Sequence, residues 1–283
     1  MSTFKHNKTA LITGANKGIG LELTRCLLQE GWNIIALNRS LYNNDNEQIN
    51  RSLEQGSLRV YQADLSDFDS LKAALQQIKA SENKIDVLFN NAGGSFPELI
   101  LTKQGREKHF DVQIVAPYII LMELKELLGK GSMRTVVNTS SSIIKTVRHF
   151  DPAHLAHPPQ FKRLFGPYAT TKLALSLWTE ELAGQLAHEG FRLLSVDPGG
   201  NNTLRKDKDS GLPIYMKMIM KLFFPHPGRG ASLLYDAAFS STRSVPSGSF
   251  LIKGKAASLK FTEQRRAVLD MVHDIYQEAF IGN

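Results

Sequence analysis

Six short apolar runs, each followed by a helix-length stretch or a break, constrain this chain more than any other feature. Residues 9–14 (TALITG), 33–37 (NIIAL), 58–63 (LRVYQA), 86–90 (DVLFN), 135–140 (TVVNTS) and 192–196 (RLLSV) are near-continuously apolar and rich in β-branched residues. Strands buried on both faces read this way. Helical patterns fall between them. The first surrounds Ile19, Leu23, Cys26 and Leu27 and stops at Gly31; others cover 66–80, with a capping Ser or Asp, then about 103–128, and 168–188. The alternation predicts a doubly wound parallel α/β sheet with helices on both faces. With no composition shift and no internal repeat, residues 1–283 read as one domain.

Composition narrows the function classes. With 42% hydrophobic and 22% charged residues, the chain is neither disordered, collagen-like nor a coiled coil. A single cysteine, Cys26, cannot form an internal disulfide, which favours a reducing compartment; its place on the first helix's apolar stripe reads as core. No apolar run reaches the roughly 18 residues of a spanning helix, and the opening MSTFKHNKTA lacks a signal peptide's apolar core. A cytoplasmic location is the expectation. The net charge of +7 would attract anions, but the basic residues are scattered, with Arg265 and Arg266 forming about the longest run. That argues against a nucleic-acid partner.

The first strand runs directly into TGANKGIG, placing Gly14, Gly18 and Gly20 at the entrance to the first helix. Glycines there let backbone N–H groups approach a pyrophosphate, and the helix N-terminus adds partial positive charge. The spacing G-x-x-x-G-x-G resembles that of the short-chain dehydrogenase/reductase family. The resemblance implies a Rossmann-type fold of about seven strands and a nicotinamide dinucleotide held by Gly14, Asn16, Lys17, Gly18, Ile19 and Gly20. The second strand ends in Asn38, Arg39 and Ser40, with no acidic residue to receive a ribose 2′-OH. Arg39, with Lys17, suits a 2′-phosphate instead, so NADP(H) is expected over NAD(H). From the family, Asp64 and Leu65 are expected against the adenine. Asn91, Ala92 and Gly93 of the NNAG motif are expected to face the cofactor, with Asn90 structural.

Tyr168 and Lys172 stand one helical turn apart on one face. A free tyrosine titrates near 10; lowering it to about 7 takes about 4 kcal/mol, within reach of a fixed ammonium and a nicotinamide's positive charge. The resemblance makes Tyr168 the proton donor or acceptor, Lys172 its partner and a nicotinamide ribose contact, and Ser141, by register in a serine triplet, the hydrogen-bond donor to the substrate oxygen. Downstream, Pro198, Gly199, Asn201 and Thr203 match the family's PGxxxT and would orient the carboxamide. One departure stands out. Gln113 occupies the position of the usual fourth-helix Asn, which distorts that helix and anchors a water relay through its carbonyl; the resemblance carries Gln113 into the catalytic set, its backbone role surviving the exchange while the longer side chain has less room in the kink.

The 27-position step from Ser141 to Tyr168, with the loop at about 142–166 and the late Gly230-Ala231 and Ser247–Phe250 patterns, resembles the retinol dehydrogenase and carbonyl reductase-like branch. That branch implies a lipophilic carbonyl or alcohol substrate. The Met-rich run within 212–225 reads as part of a substrate lid at about 204–227, an interfacial membrane helix or core, its position favouring the lid. His154-x-x-His157 with Asp151 reads as irregular loop rather than a metal site, while His149 or His154 could border the substrate. The Tyr168 helix is a common dimer face in the family, leaving a homodimer open, although the insertion could block it. The expected activity is hydride transfer between NADP(H) and a carbonyl or alcohol. The alternatives are a non-catalytic NADPH-binding regulator or scaffold and, resting on the Met-rich run, a membrane-surface lipid carrier.

Overall fold

All six apolar runs form parallel strands, because residues apolar on both sides are stable only beneath two layers of helices. The computed structural model describes residues 8–43, 46–200, 226–239 and 245–282. The strands are β1 (Thr9–Thr13), β2 (Asn33–Asn38), β3 (Leu58–Gln62), β4 (Val87–Asn90), β5 (Thr135–Thr139), β6 (Arg192–Asp197), β7 (Phe250–Ile252) and β8 (Lys255–Ala257). They form one sheet ordered β3-β2-β1-β4-β5-β6-β7-β8. The sheet has eight strands among the described residues instead of about seven, and β8 pairs antiparallel to β7. Lys253 and Gly254, at φ 51° and 75°, make the two-residue turn that such a hairpin requires.

The helices are α1 (Gly18–Gln29), α2 (Glu47–Glu54), α3 (Phe68–Ser81), α4 (Lys108–Phe110), α5 (Ala116–Glu123), α6 (Lys125–Gly129), α7 (Pro167–Leu186), α8 (Pro227–Phe239) and α9 (Arg265–Tyr276). Side-chain alternation along the strands sorts the core into two layers. Ala10, Ile12, Ile34, Phe89, Val137 and Leu194 pack with residues of α1, α2 and α8. Leu11, Ile35, Leu88, Val136 and Leu193 pack with residues of α3, α5, α7 and α9. Each fully buried large side chain contributes about 1.5–3 kcal/mol.

The helix expected over 103–128 is broken. Residues 102–106 form a turn, with Gly105 at φ 77°, and α4 starts only after Glu107, whose carboxylate accepts the Phe110 N–H at 3.1 Å. A π-turn at Asp111–Val115 separates α4 from α5, and Leu124 leaves helical geometry before α6. The segment at 142–166 is irregular, as expected, with short 3₁₀ turns at Ser142–Thr146 and Pro152–His154. Cys26 is half-buried rather than core; the buried stripe of α1 is Gly20, Leu23, Thr24 and Leu27.

Helix α9 lies along α7 and against α5. Arg265 pairs with Glu180 at 3.1 Å, Tyr276 donates to Glu123 at 2.9 Å, and Tyr118 and His273 are hydrogen-bonded at 3.0 Å. Both this helix and the 3₁₀ turn at Ser142–Thr146 of the insertion pack on α7. Consequently α7 is buried around most of its circumference, including Trp178.

Candidate functional site

The strand order reverses between β1 and β4, and open α/β sheets bind ligands beyond the C-terminal ends of the strands at such a point. There the turn after β1 enters α1 with Gly14 at φ 66°. A Cβ on Gly20 would lie 2.2 Å from the Gly14 carbonyl oxygen, so this turn admits only glycine. Lys17 caps α1 without a side-chain hydrogen bond, leaving the first-turn N–H groups with no side-chain partner there. Lys17 is exposed and Gly18 and Ile19 are half-buried at the same turn.

Other residues expected to contact the cofactor knit the cradle together. The Asn16 amide donates to the carbonyls of Ser40 and Leu41 at 2.7 and 3.1 Å, and buried Asn38 accepts the Ala15 N–H at 2.6 Å. Asn91 donates its amide to the Thr13 carbonyl at 3.1 Å, and the N–H groups of Asn91 and Ala92 share the Thr13 hydroxyl. Gly93 lies beside Gln113. Arg39 is exposed at the end of β2. Burial raises the Asp64 carboxyl, but hydrogen bonds from Ser66 and the positive charges of Lys108 and Arg39 outweigh it, leaving the group below its usual range. Leu65 is buried next to it. A bare glycine turn, an uncapped helix start and nearby cations fit a dinucleotide phosphate.

Within the serine triplet, burial separates the roles. Ser140 is buried against Ser176 at 2.8 Å and the Lys172 carbonyl at 3.2 Å, whereas Ser142 is exposed. Ser141 is the one hydrogen-bonded to the Tyr168 phenol. Tyr168 occupies the first turn of α7, which Pro167 opens. One turn on, buried Lys172 donates from Nζ to the Thr139 carbonyl at 2.6 Å. Burial pulls this ammonium down to about 7. Burial pushes the Tyr168 phenol up, the Ser141 hydrogen bond pulls it back in part, and the negative Asp197 raises it further.

Gln113 stands inside its helix. It is the central residue of the π-turn, and its Nε2 donates to the Gly94 carbonyl at 2.7 Å while its Oε1 is buried without a partner. Gly199, after Pro198, donates its N–H to Asp197 at 3.0 Å. Asn201, Thr203 and the Met-rich run lie outside the described residues, as does the expected lid apart from 226–227, where α8 begins. His154 is exposed on its 3₁₀ turn, 3.5 Å from Asp151, and His149 is also exposed. Sequence reasoning missed Glu107 and His109, a fully buried pair 2.7 Å apart whose imidazole meets the Tyr168 ring edge-on. The only signal was a carboxylate at a helix-cap position two residues before a histidine.

Fold and site together define a dinucleotide-type oxidoreductase architecture. A family model described as short chain dehydrogenase matches residues 8–153, just over half of the chain. The chain belongs to the short-chain dehydrogenase family, and within it is similar to the retinol dehydrogenase branch. It is 32% identical over 196 residues to retinol dehydrogenase 12 of Mus musculus, covering 68% of this chain and 61% of that protein. With retinol dehydrogenase 11 of Homo sapiens it shares 28% identity over 248 residues, 85% of this chain and 76% of that protein. Among solved structures, 4-hydroxyisoleucine dehydrogenase complexed with NADH superposes with a TM-score of 0.67 at 25% identity, covering 88% of this chain and 98% of that one. Among the described residues, no helix is long and apolar enough to cross a membrane.

Proposed function

We propose that this protein transfers a hydride between NADP(H) and a lipophilic carbonyl or alcohol. The observation that carries the reading is the Tyr168 phenol hydrogen-bonded to Ser141, with Lys172 one turn further along α7, beside the glycine turn of the switch point. The bound nicotinamide would supply the redox chemistry. Ser141 would donate a hydrogen bond to the substrate oxygen as charge develops on it. Tyr168 would give that oxygen its proton in reduction and take it back in oxidation. Protonated Lys172 favours the tyrosinate, and its low-lying titration lets its charge respond to what binds nearby.

Exposed Arg39 and Lys17, with no acidic residue at 36–40, support a 2′-phosphate on the cofactor. The NADH in the neighbouring structure belongs to a protein only 25% identical. Phe96 and Phe161 around His109, whose imidazole meets the Tyr168 ring, exposed Leu99, Leu101 and Phe165, and relatives named retinol dehydrogenase support an apolar substrate. Gln113 fits its helix, which removes the one sequence feature that favoured a non-catalytic regulator. The test is NADPH consumption against a panel of aldehydes, ketones, quinones and steroids. Tyr168→Phe should bind NADPH as the parent does yet lose about 10²–10⁴-fold in turnover. Equal turnover by the two proteins would refute the proton-transfer role.

A further inference from the structure

The turn that carries Ser141 is fastened from the far end of the chain. Ser141 precedes the 3₁₀ turn at Ser142–Thr146, and its Oγ accepts the Ile143 N–H at 3.3 Å. That bond occupies one lone pair and leaves the single O–H proton free to donate, as a group aimed at a carbonyl oxygen must be. Inside the turn, the Ser141 carbonyl takes the Ile144 N–H at 3.3 Å, the Ile143 carbonyl the Thr146 hydroxyl at 2.7 Å, and the Ile144 carbonyl the Val147 N–H at 3.2 Å. The carbonyls of Lys145 and Val147 both receive one distant side chain, the Lys260 ammonium, at 3.0 and 3.3 Å.

Lys260 stands 115 positions after Lys145, between β8 and α9. A second contact runs beside it. The Phe261 and Phe150 rings lie 5.8 Å apart, and both pack against the core cluster that contains Ile144 and Val147. Phe261 is held at φ 59° and ψ 35°, left-handed geometry that a bulky residue rarely adopts. Such geometry persists where the surroundings over-determine it, and it gathers around functional sites. Here the chain leaves the β7–β8 hairpin for α9, with the Gln264 N–H on the Phe261 carbonyl at 2.9 Å. Glycine would make that turn without strain; phenylalanine makes it and supplies the ring.

We infer that Lys260, supported by Phe261, is a positioning residue that pins the C-terminal half of the Ser141 turn where it packs on α7, and so fixes the direction of the Ser141 hydroxyl. This rests on the hydride-transfer reading for what that hydroxyl does. Lys260 supplies no proton to the reaction; it acts through the turn. An ammonium suits the task, because its three N–H donors serve two carbonyls at once and its hydrogen bonds are charge-assisted. The turn needs such a tie: it is short, and Ser142, Lys145 and Thr146 are exposed, so without the ammonium its last carbonyls turn to water and the segment frays.

Amide hydrogen exchange and a double-mutant cycle on the full chain test this together. Lys260→Met keeps the aliphatic stem and removes the donors; Lys260→Arg keeps charge and donors. Exchange across 142–147 should quicken at least about 10-fold in Lys260→Met, the loss expected of charge-assisted bonds, with the α1 amides unchanged and Lys260→Arg close to the parent. With all-trans-retinal as probe, backed by the carbonyl panel, and saturating NADPH, kcat should fall about 10-fold in Lys260→Met while KM stays within about 2-fold, and Lys260→Arg should recover it. In a Ser141→Ala background no hydroxyl remains to be aimed, so Lys260→Met should cost under about 2-fold in single turnover. Unchanged exchange at 142–147, an equal kcat loss with and without the Ser141 hydroxyl, or no rescue by arginine would overturn the inference. A parent that binds NADPH yet reduces no carbonyl of the panel sinks the hydride-transfer reading instead, and the exchange result alone then decides whether Lys260 holds the turn.

Discussion

Replacing Lys172 by Met should stabilise the cofactor-free protein while disabling it. Lys172 Nζ is buried, with the Thr139 carbonyl at 2.6 Å as its hydrogen-bond acceptor, and burial takes its titration from 10.5 to about 7. That drop corresponds to about 5 kcal/mol of disfavoured charge. The sign follows from proton counting. Between about 7 and 10.5 the unfolded chain binds the lysine proton and the folded chain does not, so stability rises with pH across that window. Below about 7 both states are protonated and the whole penalty is present. From pH 6 to pH 8 the parent should therefore gain about 1 kcal/mol from this group alone. Methionine carries no such cost, but it leaves the Thr139 carbonyl without this donor, a loss of about 1 kcal/mol. The net expectation is a gain of roughly 2–4 kcal/mol at pH 6, shrinking as the pH rises. Urea unfolding of parent and variant at pH 6, 7 and 8 measures it. Parallel stability curves, or a variant weaker than the parent at pH 6, would show that the ammonium is better solvated than its burial indicates.

The remaining expectations concern other parts of the frame. Asp86 accepts the N–H groups of Thr9 and Ser132 at 2.8 and 2.7 Å and the Ser132 hydroxyl at 2.8 Å. Asp86→Ala should cost about 3 kcal/mol by urea unfolding. Burial raises this carboxyl, but those hydrogen bonds and Lys84 outweigh it and hold it below 3.8. Its contribution is therefore complete above pH 3.8 and disappears as the pH falls through the depressed value; a loss already under way at pH 6 would contradict the assignment. Arg39→Asp should weaken NADPH by on the order of 10–100-fold and NADH far less, measured by fluorescence titration; equal losses would remove the 2′-phosphate contact. With α9 over the outer side of α7, sedimentation should show a 31.5 kDa monomer. A dimer whose interface maps to α7 would contradict that packing.

What was legible in the sequence follows from how each element is buried. β1, β2, β4, β5 and β6 are buried along nearly their whole length, so they read as apolar runs in their correct places. Helix α2 escaped notice because only Ile49 and Ser52 of EQINRSLE are buried, too few to set a period. Helix α7 has the opposite difficulty: with α9 outside it there is no polar face, and motif rather than periodicity located it. β7 and β8 are three residues each, shorter than any reliable pattern. At the site, residue types and spacing brought forward Ser141, Tyr168 and Lys172, which the fold gathers on adjacent elements. The destinations of Asn16 and Asn38 were hidden, since an amide that pins a loop looks in sequence like one that faces a ligand. So was the phenol's high titration, which comes from burial and Asp197.

Several departures from ordinary packing lie at one edge of the sheet, while other unpaired buried atoms, on Arg25, Trp178 and Glu180, lie elsewhere. A buried lysine, a π-turn and the unpaired buried atoms Asn90 Oδ1, Gln113 Oε1 and Thr139 Oγ1 all lie at the C-terminal ends of β4 and β5 or on the helices beside them. Each unpaired group costs about 1–3 kcal/mol, and native interiors contain few of them. The opposite edge is built differently: Asp86, just before β4, satisfies its carboxylate with three hydrogen bonds joining β1 to the segment before β5. Buried Lys172 costs stability where the proposed function needs a charge and Asp86 contributes it where no ligand is expected, and the stabilising Lys172→Met exchange is the direct test of that trade.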